Sequence, residues 1–481
     1  MIPLPLSTIA ELTGGTPAGA DGRDPVVSGP VVIDSREAAP GTLFAAFRGE
    51  RADGHDFAAA AYEAGAVAVL AERPVGGPVV VVEDVRRALG LLARGVLERL
   101  PAVTVIAVTG SAGKTSTKDL IAQVVRRAGP TIAPPGSFNN EIGLPLTVLR
   151  AGEETRFLVL EMGARGAGHI SYLTGIAPPR VGVVLNVGSA HIGEFGSREG
   201  IAEAKGELAE AVPAGGTTIL NADDPLVSAM ASRTRGEVVT FGRAPGATVR
   251  AVDDRLDGAG RPRFTLVTPE GSAPVELALY GSHAVGNALA AAAAGRAAAL
   301  PVEVVAEALA DARPASRWRM EVTERADGVT IVNDAYNANP ESMRAAVDVV
   351  AHMARDGRAY AVLGEMAELG PGSVAEHAKI GQHVARSGIA GLVVVGANAA
   401  PMAEGAAQVA SWTGECVQVE DVGAAVTALS ERLRPRDVVL VKGSRVAGME
   451  RVAERLLEAA GGVGGRTPAG GALSSPGGDP A

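Results

Sequence analysis

The segment TVIAVTGSAGKTSTKDL, residues 104–120, constrains the fold more than any other stretch of the chain. It reads as a buried β-strand, a glycine-rich turn and the start of a helix. Gly110 and Gly113 free backbone N–H groups to face a phosphate, the helix N-terminus adds positive potential, and Lys114 can reach terminal phosphate oxygens. Ser111, Ala112 and Ser116 complete the loop, and the Thr115 hydroxyl suits magnesium. A full Walker pattern would place glycine five residues before Gly113, where this chain has Val108. A phosphate loop fed by an apolar strand belongs at the carboxyl edge of a parallel sheet covered by helices on both faces.

Further apolar runs extend that sheet. RFLVLEMG and RVGVVLNVG read as strands, and Leu120, Ile121, Val124 and Val125 share one face of the helix after the loop. At 481 residues the chain exceeds one ordinary core. Residues 1–98 carry short apolar runs between Gly/Pro/Asp turns, which suits a small N-terminal α/β domain. Residues 99–313 form the central P-loop-type domain with a parallel sheet, within which the polar stretch from about 240 to 275 reads as an irregular excursion. From 314 to 460 the alternation restarts as a Rossmann-like unit: VTIVND, a helix after Pro340, AYAVLGEM, a helix, GLVVVG, a helix, DVVLVKGS and a final helix. The Gly/Pro/Ser/Ala-rich residues 461–481 read as a disordered tail.

The net charge of −10 argues against a general nucleic-acid binder. No apolar run is long enough for a membrane span, no secretory signal is visible, and the single Cys416 allows no internal disulfide; together these point to the cytoplasm. Of 44 basic residues only Lys114, Lys118, Lys205, Lys379 and Lys442 are lysines. In an arginine-rich chain, lysine marks places that need a compact ammonium or a deprotonatable amine, or it merely survives compositional drift. For Lys118 and Lys379 both readings stand.

Glu161 ends the strand RFLVLE, and His191 follows the strand VGVVLNVGSA, so both fall at the sheet edge that carries the phosphate loop. A carboxylate suits magnesium, and imidazole is a less usual ligand for it. Pattern alone also allows a surface glutamate and an unligated histidine. Lys205, between Glu203 and Glu207, would by itself be an ordinary helix charge.

With these residues in view the chain resembles the Mur ligase family. The resemblance rests on IDSREAAPGTLFAAFRGERADGHDF, TGSAGKTSTKD, GSFNNEIGLPLT, LEMGARGAGHI, NVGSAHIGEFGSREGIAEAKGEL, NADD, GSHAVGNALAA, NDAYNANPESM, LGEMAELG and LVKGSRVAGME. It implies ATP- and magnesium-dependent amide formation. The first domain would hold the UDP end of a nucleotide sugar, the second ATP and magnesium, and the third the incoming amine. AYNANP and LGEMAELG resemble the member that adds D-alanyl-D-alanine to a UDP-linked muramoyl tripeptide.

By the same resemblance Lys114 and Thr115 hold γ-phosphate and magnesium, and Glu161 and His191 are metal ligands. Lys205 is the lysine that the family carbamylates. Asn287, Asp334, Tyr336 and Asn337 face the nucleotide, as Asn339 does, although Ala284 replaces an asparagine usual beside Asn287. Ser35, Arg36, Asn139 and Asn140 resemble substrate-binding positions. A turn and helix cap before Pro340 would equally account for much of the AYNANP composition. The resemblance further implies a monomer with small-molecule substrates, whose third domain closes over the second to keep water from the reacting acyl group.

Overall fold

The computed structural model describes residues 1–49, 52–188 and 192–459. His191 and the expected tail lie outside the described residues.

Among the described residues the strands form three larger sheets, with one further pair, Leu4–Pro5 against Val26–Val27. The first sheet runs Thr16–Ala18, Val79–Val81, Ala68–Ala71, Leu43–Ala45 and Val31–Val32, parallel except at Thr16–Ala18. Its helix Val85–Glu98 begins at Asp84, whose carboxylate accepts from Arg87 N, and buries Val85, Ala88, Leu89, Leu92 and Val96. The 3–4 spacing of those residues makes one apolar stripe. That stripe joins Leu144, Val148, Ile170 and Leu173 in one continuous core, which fastens the first sheet to the second.

The second sheet has nine strands. At its centre Thr104–Thr109 pairs in parallel with Phe157–Glu161 on one side and Val181–Val184 on the other. Thr217–Asn221, Glu237–Gly242 and Val249–Leu256 continue in parallel. The last two strands, Pro262–Thr268 and Gly271–Glu276, turn antiparallel. The expected irregular excursion is therefore mostly a regular extension of the sheet. Its polar residues misled the reading because they alternate with Phe264, Leu266, Ala273 and Val275, which face the core while their neighbours face water. Only the register shift between Val252 and Arg255, with Asp253 at φ 57°, is irregular.

Helix Lys114–Val125 and the alanine-rich helix His283–Ala297 cover one face of this sheet. They approach so closely that a Cβ on Gly295 would lie 2.7 Å from Val124 Cγ1. Small side chains allow this, and the phosphate loop is thereby seated on a rigid helix pair.

The third sheet runs Glu321–Glu324, Thr330–Asn333, Val438–Lys442, Ala359–Leu363, Gly391–Val395 and Glu415–Val419, antiparallel only at the first pair. Cores lie on both faces. The two outer strands escape the sequence reading because they are edge strands of polar composition, EVTE and ECVQV, without a continuous apolar run. The carboxyl ends of Thr330–Asn333 and Val438–Lys442 meet the phosphate loop, and there the cleft forms.

Candidate active site

A cleft of about 1140 Å³ lies between the carboxyl edges of the second and third sheets. Gly113, at φ 80°, ends the phosphate loop in a left-handed conformation and starts helix Lys114–Val125. A Cβ there would sit 2.8 Å from Asn287 Oδ1, so glycine also lets the asparagine abut the loop. Asn186 holds the loop from the neighbouring strand: its Oδ1 accepts from Ala112 N at 2.9 Å, and its Nδ2 donates to Ala112 O at 3.0 Å. Ser111 N donates to Asn186 O, and Ser111 Oγ accepts from Gly188 N.

Lys114 folds back over its own loop and donates to Gly110 O at 2.9 Å. Burial lowers its pKa, the Glu161 carboxylate opposes that shift, and Arg319 adds to it. An ammonium held by a single carbonyl retains free donors for anionic oxygens.

Glu161 is 1% exposed. Its Oε2 accepts from Thr115 Oγ1 at 2.8 Å, and its Oε1 accepts from Ser137 Oγ at 2.9 Å and Asn139 Nδ2 at 2.8 Å. All three donors are neutral. A buried carboxylate and a hydroxyl at a phosphate loop are hard oxygen donors, and they fit magnesium. No group of three His, Cys, Asp or Glu side chains suited to a metal occurs among the described residues.

Lys205 lies on helix Arg198–Ala211 at the same cleft, 5% exposed. Burial, and secondarily Lys114, lowers its pKa to about 7. Its neighbours are occupied elsewhere: Glu203 pairs with Arg233, and Glu207 accepts from Gly168 N and Ser171 N at the start of helix His169–Ile176. Burial thus favours the neutral amine, which is the nucleophilic form.

From the third sheet, Asp334 Oδ2 accepts from Lys442 Nζ at 2.6 Å, and its Oδ1 accepts from Met320 N. Lys442 Nζ also donates to Asn337 O at 2.9 Å. Burial lowers the Lys442 pKa, against the pull of the Asp334 carboxylate. Arg319 stacks over Tyr336, 4.0 Å from the ring centroid, and its Nη2 donates to Thr115 Oγ1 at 3.1 Å. Trp318 and Met320, on either side of Arg319, have φ 58° and 50°. Two left-handed non-glycine residues flanking one cation are a costly backbone that surrounding contacts must enforce.

The structure brings Gly113, Lys114, Thr115, Ser116, Glu161, Lys205, Asn287, Asp334, Tyr336, Asn337 and Asn139 to one cleft, with Ser111 and Ala112. Gly110 is the loop residue on which Lys114 rests. Asn140 also lines the cleft, but its Oδ1 accepts from Ile142 N and Gly143 N at the start of a helix. Asn339 caps helix Pro340–Met353 in a reciprocal box with Ser342. Ser35 and Arg36 lie on a short 3₁₀ turn away from the cleft. There Arg36 forms a 2.5 Å ion pair with Asp34, with its side chain 82% exposed. Arg319, Asn186 and Ser137 are cleft residues that the sequence reading missed.

Comparison with known proteins agrees with this architecture. Family models match three consecutive parts of the chain: the Mur ligase family catalytic domain at residues 30–96, the Mur ligase middle domain at 108–295, and the Mur ligase glutamate ligase domain at 318–445. A UDP-N-acetylmuramoyl-tripeptide–D-alanyl-D-alanine ligase of Mycobacterium bovis is 48% identical, over 95% of this chain and 98% of its own. The Escherichia coli ligase of the same name is 37% identical over 95% and 99%. A crystal structure of MurF from Acinetobacter baumannii superposes with a TM-score of 0.85 at 32% identity, covering 95% of this chain and all of its own. MurF ligase from Thermotoga maritima in complex with ADP gives 0.79 at 31%, over 90% and 98%. The chain belongs to the Mur ligase family.

Proposed function

We propose that this enzyme joins D-alanyl-D-alanine to UDP-N-acetylmuramoyl-tripeptide, using ATP and giving the UDP-muramoyl pentapeptide, ADP and phosphate. The observation that carries the reading is near-full-length likeness to ligases of that name, combined with a cleft in which Lys114, Glu161, Lys205 and Arg319 converge from two sheets.

A tripeptide carboxylate oxygen attacks the γ-phosphorus of ATP, the bond to the β-phosphate oxygen breaks, and ADP leaves with an acyl phosphate formed. The dipeptide amine then attacks the acyl carbon, phosphate departs with the C–O bonding electrons, and the surplus ammonium proton is released. Carboxylate and triphosphate repel each other, so the first step needs concentrated positive charge. Lys114 leaves the Gly110 carbonyl to hold terminal phosphate oxygens. Backbone N–H groups of the phosphate loop cradle the remainder, and Arg319 adds a second cation from the third sheet. Magnesium, held by Thr115 and Glu161, with His191 assigned there by family resemblance, would neutralise phosphate charge.

As the free amine Lys205 would add to CO₂ with loss of one N–H proton, and the carbamate would offer an anionic oxygen to hold a second metal ion. Asn287 faces the nucleotide beside Gly113, as do Asp334, Tyr336 and Asn337. Asn139 and Asn140 line the way to the muramoyl peptide, while Ser35 and Arg36 belong to the UDP end. Residues 1–98, 99–313 and 314–460 serve as the UDP-sugar, ATP and amine-acceptor domains. The enzyme acts as a monomer in the cytoplasm, in keeping with its ATP requirement and single exposed Cys416; no described helix is long and apolar enough to cross a membrane.

The test is product analysis with a panel of UDP-muramoyl peptides and amino acceptors. Pentapeptide formation only from tripeptide, D-alanyl-D-alanine and ATP supports the reading. Efficient addition of a single amino acid to a UDP-muramoyl dipeptide would replace it.

A further inference from the structure

Lys118 is fully buried, and the ATP chemistry above leaves it without a role. Its ammonium donates to Pro134 O at 2.7 Å and Gly136 O at 3.2 Å, and it lies 2.5 Å from Asp119 Oδ1 in an ion pair. Two carbonyls and a carboxylate gathered around one buried point suit a compact ammonium better than a planar guanidinium, which accounts for a lysine here in an arginine-rich chain. Adjacent helix residues do not ordinarily face each other, so this pairing requires Lys118 to bend around its own helix.

Each partner leads elsewhere. Pro134 and Gly136 begin the loop that delivers Ser137 and Asn139 to Glu161. Asp119 presents its other oxygen to Ser316, whose Oγ donates at 2.6 Å. Ser316 lies three residues before Arg319, in the strap between the second and third sheets. One turn further along the helix, Gln123 grips the same strap twice: Nε2 donates to Arg313 O at 3.0 Å, and Oε1 accepts from Arg313 N at 3.1 Å.

We infer that Lys118 and Asp119 form a positioning unit that couples the 134–140 loop around Glu161 to the strap that sets Arg319 on Thr115. Without the lysine, Asp119 would be a nearly buried carboxylate lacking its cation, and two loop carbonyls would lose their donor; both segments would loosen together. Asp119 and Ser316 border the cleft, Lys118 is fully buried, and no step of the ligation above uses any of the three. Their effect on ligation passes through Ser137 and Asn139 on one side and Arg319 on the other. This inference rests on the ligase reading, and wild-type product formation tests that reading separately.

The experiment is a double-mutant cycle on the full-length enzyme, using Lys118→Met, Ser316→Ala and the pair. It measures kcat and amide hydrogen exchange at residues 134–140 and 313–320. Ser316→Ala should lower kcat about tenfold, because small displacements of positioning groups carry large kinetic costs. It should also speed exchange in the 134–140 loop, to which Ser316 makes no hydrogen bond among the described residues; reciprocally, Lys118→Met should speed exchange in the strap. The double variant should be no slower than Lys118→Met alone. Should Lys118→Met fail to fold, Asp119→Asn takes its place in the same cycle. Multiplicative kcat losses, wild-type kcat in Ser316→Ala, or exchange changes confined to the mutated segment would each overturn the coupling.

Discussion

Arg319 Nη2 donates to Thr115 Oγ1 at 3.1 Å, joining the third sheet's leading segment to the phosphate loop across 204 positions of sequence. The same Thr115 hydroxyl donates to Glu161 Oε2 at 2.8 Å. One hydroxyl therefore links the buried carboxylate of the central sheet to a cation supplied by the other.

Arg319→Ala should lower kcat by roughly 10²–10³, the cost typical of losing one transition-state charge contact. Arg319→Lys should recover little, since lysine lacks the planar face stacked on Tyr336. Steady-state kinetics beside a thermal melt would check this; the melt should move far less than kcat.

Lys114→Ala should abolish ligation in a chain that still folds. Its amine bonds only to Gly110 O among the described residues, so structure loses little while phosphate loses its nearest cation. The expected fall is about 10²–10³ in rate. Near wild-type ADP release, read by a coupled assay, would remove Lys114 from the phosphate site.

Lys205 yields two expectations. Lys205→Arg and Lys205→Ala should both be nearly inactive, with short carboxylic acids restoring part of the activity of the alanine variant. The second concerns stability in CO₂-free buffer. With its pKa lowered to about 7 from 10.5, the folded state binds fewer protons than the unfolded chain between those values. Wild-type stability should therefore rise as pH climbs from about 7 toward 10.5, its penalty being complete below 7. Lys205→Met lacks that penalty, so its advantage in melting temperature should be largest below pH 7 and shrink above it. A pH-independent difference would mean that Lys205 is not titrating in a buried site.

Gly113 and Lys114 could be read from sequence because a phosphate loop is local geometry: the glycines, the lysine and the helix start are contiguous. Glu161 was accessible through topology, as the last residue of a strand beside the loop. Lys205 stood out only by lysine rarity and family resemblance, since its burial comes from tertiary packing between two exposed-looking glutamates that serve Arg233 and a helix N-terminus. Arg319 left no pattern at all, because left-handed residues other than glycine, such as Trp318 and Met320, are imposed by contacts and not by composition. Lys118 could be singled out by rarity alone; its two acceptors come from a loop 16–18 residues away and its ion-pair partner is its own neighbour. The strands after residue 249 carry no continuous apolar run to mark them, because a sheet covered on one face alternates polar and apolar residues.

Ligation in this cleft turns on phosphorylation of the tripeptide carboxylate. The most direct measurement supplies UDP-muramoyl tripeptide with ¹⁸O in its terminal carboxylate, together with ATP and D-alanyl-D-alanine, and follows the label by ³¹P NMR. An acyl phosphate requires one ¹⁸O to appear in inorganic phosphate for each amide formed, with none in ADP. Label in AMP, or unlabelled phosphate alongside the amide, would rule out an acyl phosphate.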